Sequence, residues 1–271
     1  MSPSPRRLLL LLAGAAALPC LSTPAALAWT PAMEDRIVFE ATRLMPPSLR
    51  GILEKHADET KEGLRAARGD ESGLWHTQEE GQQGACLSTR AEGLAGEIVK
   101  LIDSHEPFAS VARKMGELAH VVADLNNPLH VSAKDPGEAR YAADYAEYVE
   151  SNLPKYPLVF YGWSDPRLDL PGLPGPGDVG AFARDAARRA RRYYDPISRA
   201  YAPRGKVPLE HRFDVRSLPF GIGSLSYSHT VTDTARLWLH VWNQAHGDAL
   251  GTPYLAQERM ARSSATSAGS K

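Results

Sequence analysis

Lys114-Met-Gly-Glu-Leu-Ala-His120-Val-Val-Ala-Asp124-Leu-Asn-Asn-Pro128-Leu-His130 is the stretch whose reading decides the fold. Its spacing predicts a helix. Met115, Leu118, Val122 and Leu125 form one apolar stripe, and His120 and Asp124, four apart, project from a second face one turn above the other. Gly116 lies one turn before His120, where a missing side chain lets another segment approach closely. Pro128 cannot continue the helix, so the chain must turn, and His130 follows in that turn. An imidazole, a carboxylate and a second imidazole placed this way can converge on one or two zinc-like ions. On spacing alone, such a pair is more often solvated or hydrogen-bonded on a helix surface than bound to metal.

The pattern Gly116-x-x-x-His120-x-x-x-Asp124-x-x-x-Pro128-x-His130 resembles the central motif of the bacterial zinc-dependent phospholipases C. A similar motif occurs in the fungal single-strand-specific nucleases, which share their fold. The resemblance implies that His120, Asp124 and His130 bind metal in a cluster of up to three zinc ions that hydrolyses phosphodiesters.

The start of the chain adds a second point of likeness. Arg6 and Arg7 precede an apolar run over residues 8–17, and Ala26-Leu27-Ala28 supplies a small-residue cleavage site. This reads as a signal peptide over residues 1–28, with an apolar run too short to span a membrane. Cys20 suggests a lipoprotein, but Pro19 before it disfavours that site. Cleavage after Ala28 predicts an exported, periplasmic or secreted chain beginning at Trp29. The cleaved chain keeps one cysteine, Cys86, and so has no internal disulfide. The resembled families also begin with tryptophan, which implies that the Trp29 α-amino group and carbonyl oxygen chelate a zinc ion.

Charged residues make up 23% of the sequence and the net charge is −1, so no basic excess demands a nucleic-acid partner. Elsewhere the pattern is helical, without convincing strand alternation. Helices are expected over 34–45, 48–67, 89–104 (Thr89 and Glu92 as a capping box), from Pro107 through the central motif, 138–152, 178–194 and 224–246 with Gly247 as the stop. Residues 156–178 form a long Pro/Gly-rich loop, and residues 257–271 read as a disordered tail. The fold class is therefore all-α: one multi-helix domain over residues 29–256, monomeric and with no transmembrane segment.

The resemblance implies further ligands, and here the sequence departs from the family. Asp35 or Glu34 stands where a histidine is expected on the first helix, and a carboxylate there would alter the metal preference. His76 is the candidate partner for an acid among Asp58, Glu62 and Asp70, of which Glu62 and Asp70 are the candidate catalytic bases. Ala142 and Ala146 fall at two ligand positions of the helix after His130, with Asp144 and Glu147 as displaced carboxylates. His229 and Asp233 repeat the His-x-x-x-Asp spacing on the last long helix, where such a pair braces a helix or hydrogen-bonds metal ligands. The expected function is an exported zinc-dependent phosphodiester hydrolase of the phospholipase C type, acting on a phospholipid head group or similar diester. Two alternatives stand beside it: an impaired member that binds metal or phospho-ligands, and a single-strand nuclease whose basic face is Arg184, Arg188, Arg189, Arg191 and Arg192.

Overall fold

A computed structural model describes residues 29–69, 86–132, 137–204 and 213–268. Among these residues the fold is all-α, with no strand and one isolated bridge between Leu170 and Leu173. The helices are α1 (Pro31–Leu44), α2 (Pro47–Lys55), α3 (Ala57–Gly69), α4 (Leu87–Asp103), α5 (Phe108–Leu125), α6 (Ala142–Asn152), α7 (Val179–Arg191), α8 (Tyr194–Tyr201), α9 (Leu218–Gln244) and α10 (Leu255–Ala268). None of them is long and apolar enough to cross a membrane.

The expected central helix is α5, and it occupies the middle of the molecule. Every residue from Met115 to Leu125 is buried, and α3, α4, α7 and α9 all pack against it. Its closest neighbour is α3. A Cβ on Gly116 would lie 2.0 Å from the Thr60 carbonyl oxygen, and one on Gly63 would lie 1.9 Å from the Arg113 carbonyl oxygen. Two glycines facing each other's backbones allow the two helices to touch without side chains between them. Trp238 of α9 closes the other side of α5, donating its indole N–H to the Met115 carbonyl at 3.1 Å.

Several boundaries differ from the expectation for identifiable reasons. The predicted 48–67 helix breaks at His56, whose φ/ψ of −112°/36° leaves the helical region. The Thr89 capping box is not used, because α4 begins two residues earlier after Cys86. The 138–152 segment opens with a 3₁₀ turn at Glu138–Arg140 before α6. The last long helix starts at Leu218, two turns early, because the Ser217 hydroxyl accepts the Phe220 N–H and Pro219 occupies the first turn. It ends at Gln244, and His246, two residues on, takes the left-handed φ of 56°. Gly247 is needed for another reason: a Cβ there would lie 2.2 Å from the Trp242 ring. Residues 255–268, read as tail from 257, form α10. Glu258 anchors it by accepting the backbone N–H groups of Trp163 (2.6 Å) and Ser164 (2.5 Å).

Candidate metal centre

His120 and Asp124 sit one turn apart near the C-terminal end of α5. The chain then turns at once, with the Asn127 side chain accepting the Leu129 N–H (2.9 Å) and its carbonyl accepting the His130 N–H (3.0 Å). The turn carries His130 back over the end of the helix. His120 Nε2 lies 3.4 Å and His130 Nε2 3.6 Å from the same atom, Asp124 Oδ2. The three side chains are 4%, 5% and 2% exposed. These separations are long for N–H···O hydrogen bonds, which cluster near 2.9–3.0 Å. They match the roughly 3.3–3.6 Å that separates two donors on a tetrahedral ion with bonds of about 2.0–2.2 Å.

The far side of His120 strengthens this reading. Its Nδ1 lies 2.8 Å from Glu34 Oε1, and the other Glu34 oxygen is paired with Arg68 of α3. Glu34 is 1% exposed. An ionised carboxylate only accepts hydrogen bonds, so Nδ1 must carry the proton, and in the neutral ring Nε2 is left with a lone pair. That lone pair faces the Asp124 carboxylate. Two acceptors face each other in a buried site only if a cation lies between them, either a metal ion or a second imidazole proton. Carboxylate on one ring nitrogen and metal on the other is the usual bracing of a metal-bound histidine.

The other expected residues divide clearly. Trp29 is 1% exposed and its indole donates to the Ala123 carbonyl at 2.9 Å, next to Asp124, so the expected start of the exported chain is fixed against the end of α5. Of the two candidate acids at the start of α1, Glu34 reaches His120 and Asp35 faces solvent. Glu62 is also on the outside, 55% exposed and 4.0 Å from Arg113, and it does not join the His120 group. Asp58 is exposed as well. Asp70 and His76 lie outside the described residues. Ala142 and Ala146 are buried on α6, while Asp144 accepts the Tyr201 hydroxyl (2.6 Å) and Glu147 is exposed. Among the described residues, no group of three or more His, Cys, Asp or Glu side chains is arranged so that it could hold a metal ion as it stands; His120 and His130 each approach Asp124 Oδ2. They fit a zinc-like ion in donor type, two nitrogens and one oxygen.

Two arginines read beforehand only as part of a basic face hold this row in place. Arg189 and Arg191 turn inward from the basic face of α7. Arg189 donates to Asn126 Oδ1 (2.8 Å) and pairs with Asp233, and Arg191 donates to the Val131 carbonyl (3.0 Å). They therefore grip both ends of the turn that contains His130. Arg184 and Arg188 remain outside, beside Asp178 and Asp185. The available signal was spacing: Arg189 is three residues from Ala186 and seven from Phe182, on the border of the apolar stripe of α7.

His229 and Asp233 do not face each other as a ligand pair. Asp233 is 1% exposed and accepts from Asn126 Nδ2 at 3.1 Å, so it acts on the end of α5 through Asn126. His229 stacks on Tyr161 with ring centroids 4.3 Å apart. Burial first, then the charges of Arg189 and Arg236 against the opposing pull of Asp233, push its pKa down to about 4. In the unfolded chain a histidine titrates near 6.5. Its stabilising contribution is thus complete above about pH 6.5, falls as the pH drops towards 4, and is constant below that. His229→Gln should shrink the loss of stability between pH 7 and pH 5, read from urea midpoints of both proteins at both values. An equal loss in both would assign the acid sensitivity to other groups.

Compared with models of known families, the chain matches none, and no curated protein matches it.

Proposed function

We propose that this chain is an exported metal-dependent hydrolase of phosphodiesters, of the phospholipase C type, holding a zinc-like ion with His120, Asp124 and His130. The observation that carries the metal is the convergence of His120 Nε2 (3.4 Å) and His130 Nε2 (3.6 Å) on Asp124 Oδ2, with Glu34 Oε1 2.8 Å from the other ring nitrogen of His120. The phosphodiester substrate rests on the resemblance of the Gly116–His130 pattern, and export on the signal-like residues 1–28. A bound zinc ion would supply charge neutralisation for the phosphate oxygens and a bound water acidic enough to ionise near neutral pH. The chain's own residues set the rest. Glu34 orients the His120 ring, Arg68 pairs with the other Glu34 oxygen, and Arg189 and Arg191 hold the turn that presents His130.

A second reading, binding of metal or phospho-ligand without turnover, is favoured by Ala142 and Ala146. They are buried on α6, where the resemblance implies two more ligands, and methyl groups cannot coordinate.

The test is elemental analysis of protein beginning at Trp29, with no tag at that end, alongside melting with and without a chelator. At least one zinc per chain is expected, and metal that binds only the folded state should raise its melting temperature. His120→Ala and Asp124→Ala should each lose both the ion and the chelator effect. Metal-free protein indifferent to chelators would mean that the second proton on His120, not an ion, lies between the two acceptors. Loaded protein that leaves bis-p-nitrophenyl phosphate and p-nitrophenylphosphocholine intact would select the binding-only reading.

A further inference from the structure

Residues 157–161 run along α9, and over this stretch the backbone groups bonded to α9 belong to alternate residues, 157, 159 and 161. The N–H groups of Val159 and Tyr161 donate to the hydroxyls of Ser228 and Thr232, one turn apart on α9, each at 3.2 Å. The Pro157 carbonyl accepts from Ser228 at 3.4 Å, and Arg236 donates to the carbonyls of Tyr161 (3.1 Å) and Gly162 (2.8 Å). An extended chain directs the backbone groups of successive residues to opposite edges. Leu158 and Phe160 accordingly turn theirs away from α9, and among the described residues neither has a backbone hydrogen-bond partner. The edge is held firmly. Gly162 ends it in a left-handed turn (φ 81°), and the Trp163 indole is tied to the Pro253 carbonyl at 2.7 Å.

This edge forms one wall of a groove of about 700 Å³ to which Leu158, Phe160 and Gly162 contribute. Val159, Pro253, Tyr254 and, from α1, Glu40, Arg43 and Leu44 complete its lining. The α1 wall is positively charged. Glu40 is buried between Arg36 (2.5 Å) and Arg43 (3.0 Å), whose side chains are 51% and 63% exposed, leaving one net positive charge at the rim. Phe39, which both guanidinium groups approach (5.4 and 5.8 Å), and Tyr254 are each more than half exposed.

We propose that the groove receives an extended segment of a partner polypeptide, which adds as a strand to the Leu158–Phe160 edge and sets a carboxylate against Arg43. Backbone donors and acceptors recurring at every second residue, about 6.6–6.8 Å apart, match the repeat of another extended chain. An acyl chain or a compact ligand would cover the edge and leave those groups unpaired, at a cost. Strand addition gives affinity through main-chain bonds, and apolar side chains alternating along the partner would fill the space beside Leu44 and Phe160. This surface is independent of the metal reading and on a different part of the molecule from the His120 row in its lining residues.

The test uses the full chain, labelled with ¹⁵N, and two probes: acetyl-Thr-Val-Thr-Val-Glu-amide and the same peptide with Lys in place of Glu. The Glu peptide is expected to shift the Leu158 and Phe160 amide signals and to slow their hydrogen exchange at saturation. Phe160→Pro removes one edge donor while leaving the bonds of Val159 and Tyr161 to α9 in place, and should weaken binding about 10-fold. Arg43→Glu should transfer the preference to the Lys peptide. Unchanged circular dichroism of both variants shows that they fold. The proposal is overturned if neither peptide alters those two amides, if Phe160→Pro binds as the parent does, or if dioleoylphosphatidylglycerol vesicles perturb the edge and the peptides do not.

Discussion

Gly63→Ala and Gly116→Ala should each destabilise the protein by about 3 kcal/mol or more, since overpacking against rigid backbone lies at the upper end of its usual cost. The added methyl would lie 1.9 Å from the Arg113 carbonyl oxygen in one case and 2.0 Å from the Thr60 oxygen in the other. Neither obstacle is a side chain that can rotate away. Both belong to helix backbones, so α3 and α5 must separate along their crossing. The gain in helix propensity, about 1 kcal/mol for Gly to Ala, only partly offsets this. Gly93→Ala is the control: it lies exposed in α4 with nothing within 4 Å of the new Cβ and should be stabilising by about 0.5–1 kcal/mol. Urea unfolding of the three variants decides the matter. Equal, small effects at all three positions would mean that α3 and α5 do not touch as described. The consequence extends to the candidate centre, because α3 also carries Arg68. A separated α3 withdraws the partner of Glu34, and with it the bracing of His120.

The glycine crossing also shows what was legible beforehand. Gly116 is marked by its place one turn before His120 on the same stripe, which predicts a close approach. Gly63, its counterpart, is invisible for the same purpose, because nothing in Lys61-Glu62-Gly63-Leu64 distinguishes a contact glycine from a tolerated one. The helical segments follow from periodicity, so α5, α7 and α9 are readable almost throughout. Boundaries set by tertiary contacts are not. The break at His56 involves no proline or glycine, and the tail becomes α10 through contacts with a loop nearly a hundred residues away in sequence, Glu258 to Trp163 and Ser164. In the centre, His120, Asp124 and His130 are local enough to be seen from one stretch. Glu34 rather than Asp35 is settled only by the rotation of α1, which buries Met33, Glu34 and Ile37 and leaves Asp35 outside. A single-residue shift on a helix turns a side chain by about 100°, so neighbouring acids cannot be told apart without knowing which face is covered.

Asp233→Ala is expected to cost about 3–5 kcal/mol, the usual effect of removing one partner from a buried ion pair. Asp233 is 1% exposed and faces two guanidinium groups: Arg189, paired with Oδ2, and Arg236, 3.8 Å from Oδ1. Arg236 is 10% exposed, and its other carboxylate neighbour, Asp165, is no closer than 3.9 Å. Burial already pulls the Arg236 guanidinium below its ordinary pKa in spite of Asp233, Asp165 and Glu258, so losing Asp233, the strongest of the three, leaves a charge with too little compensation. Asn126 loses one of its two acceptors at the same time, keeping only the Val122 carbonyl, and the turn that carries His130 loosens at its first residue. Asp233→Asn keeps an oxygen for Arg189 but removes the charge, and should fall between the parent and Asp233→Ala. The stranded cation rather than a lost contact is the cause if Arg189→Met, added to Asp233→Ala, recovers part of the loss; strictly additive losses would point to contacts instead. Hydrogen exchange over residues 126–131 provides the second readout. Faster exchange there in Asp233→Ala, with α4 unchanged, would show that the α9 carboxylate stabilises the end of α5 locally, whereas a loss below 1 kcal/mol with unaltered exchange would remove Asp233 from any part in holding His130.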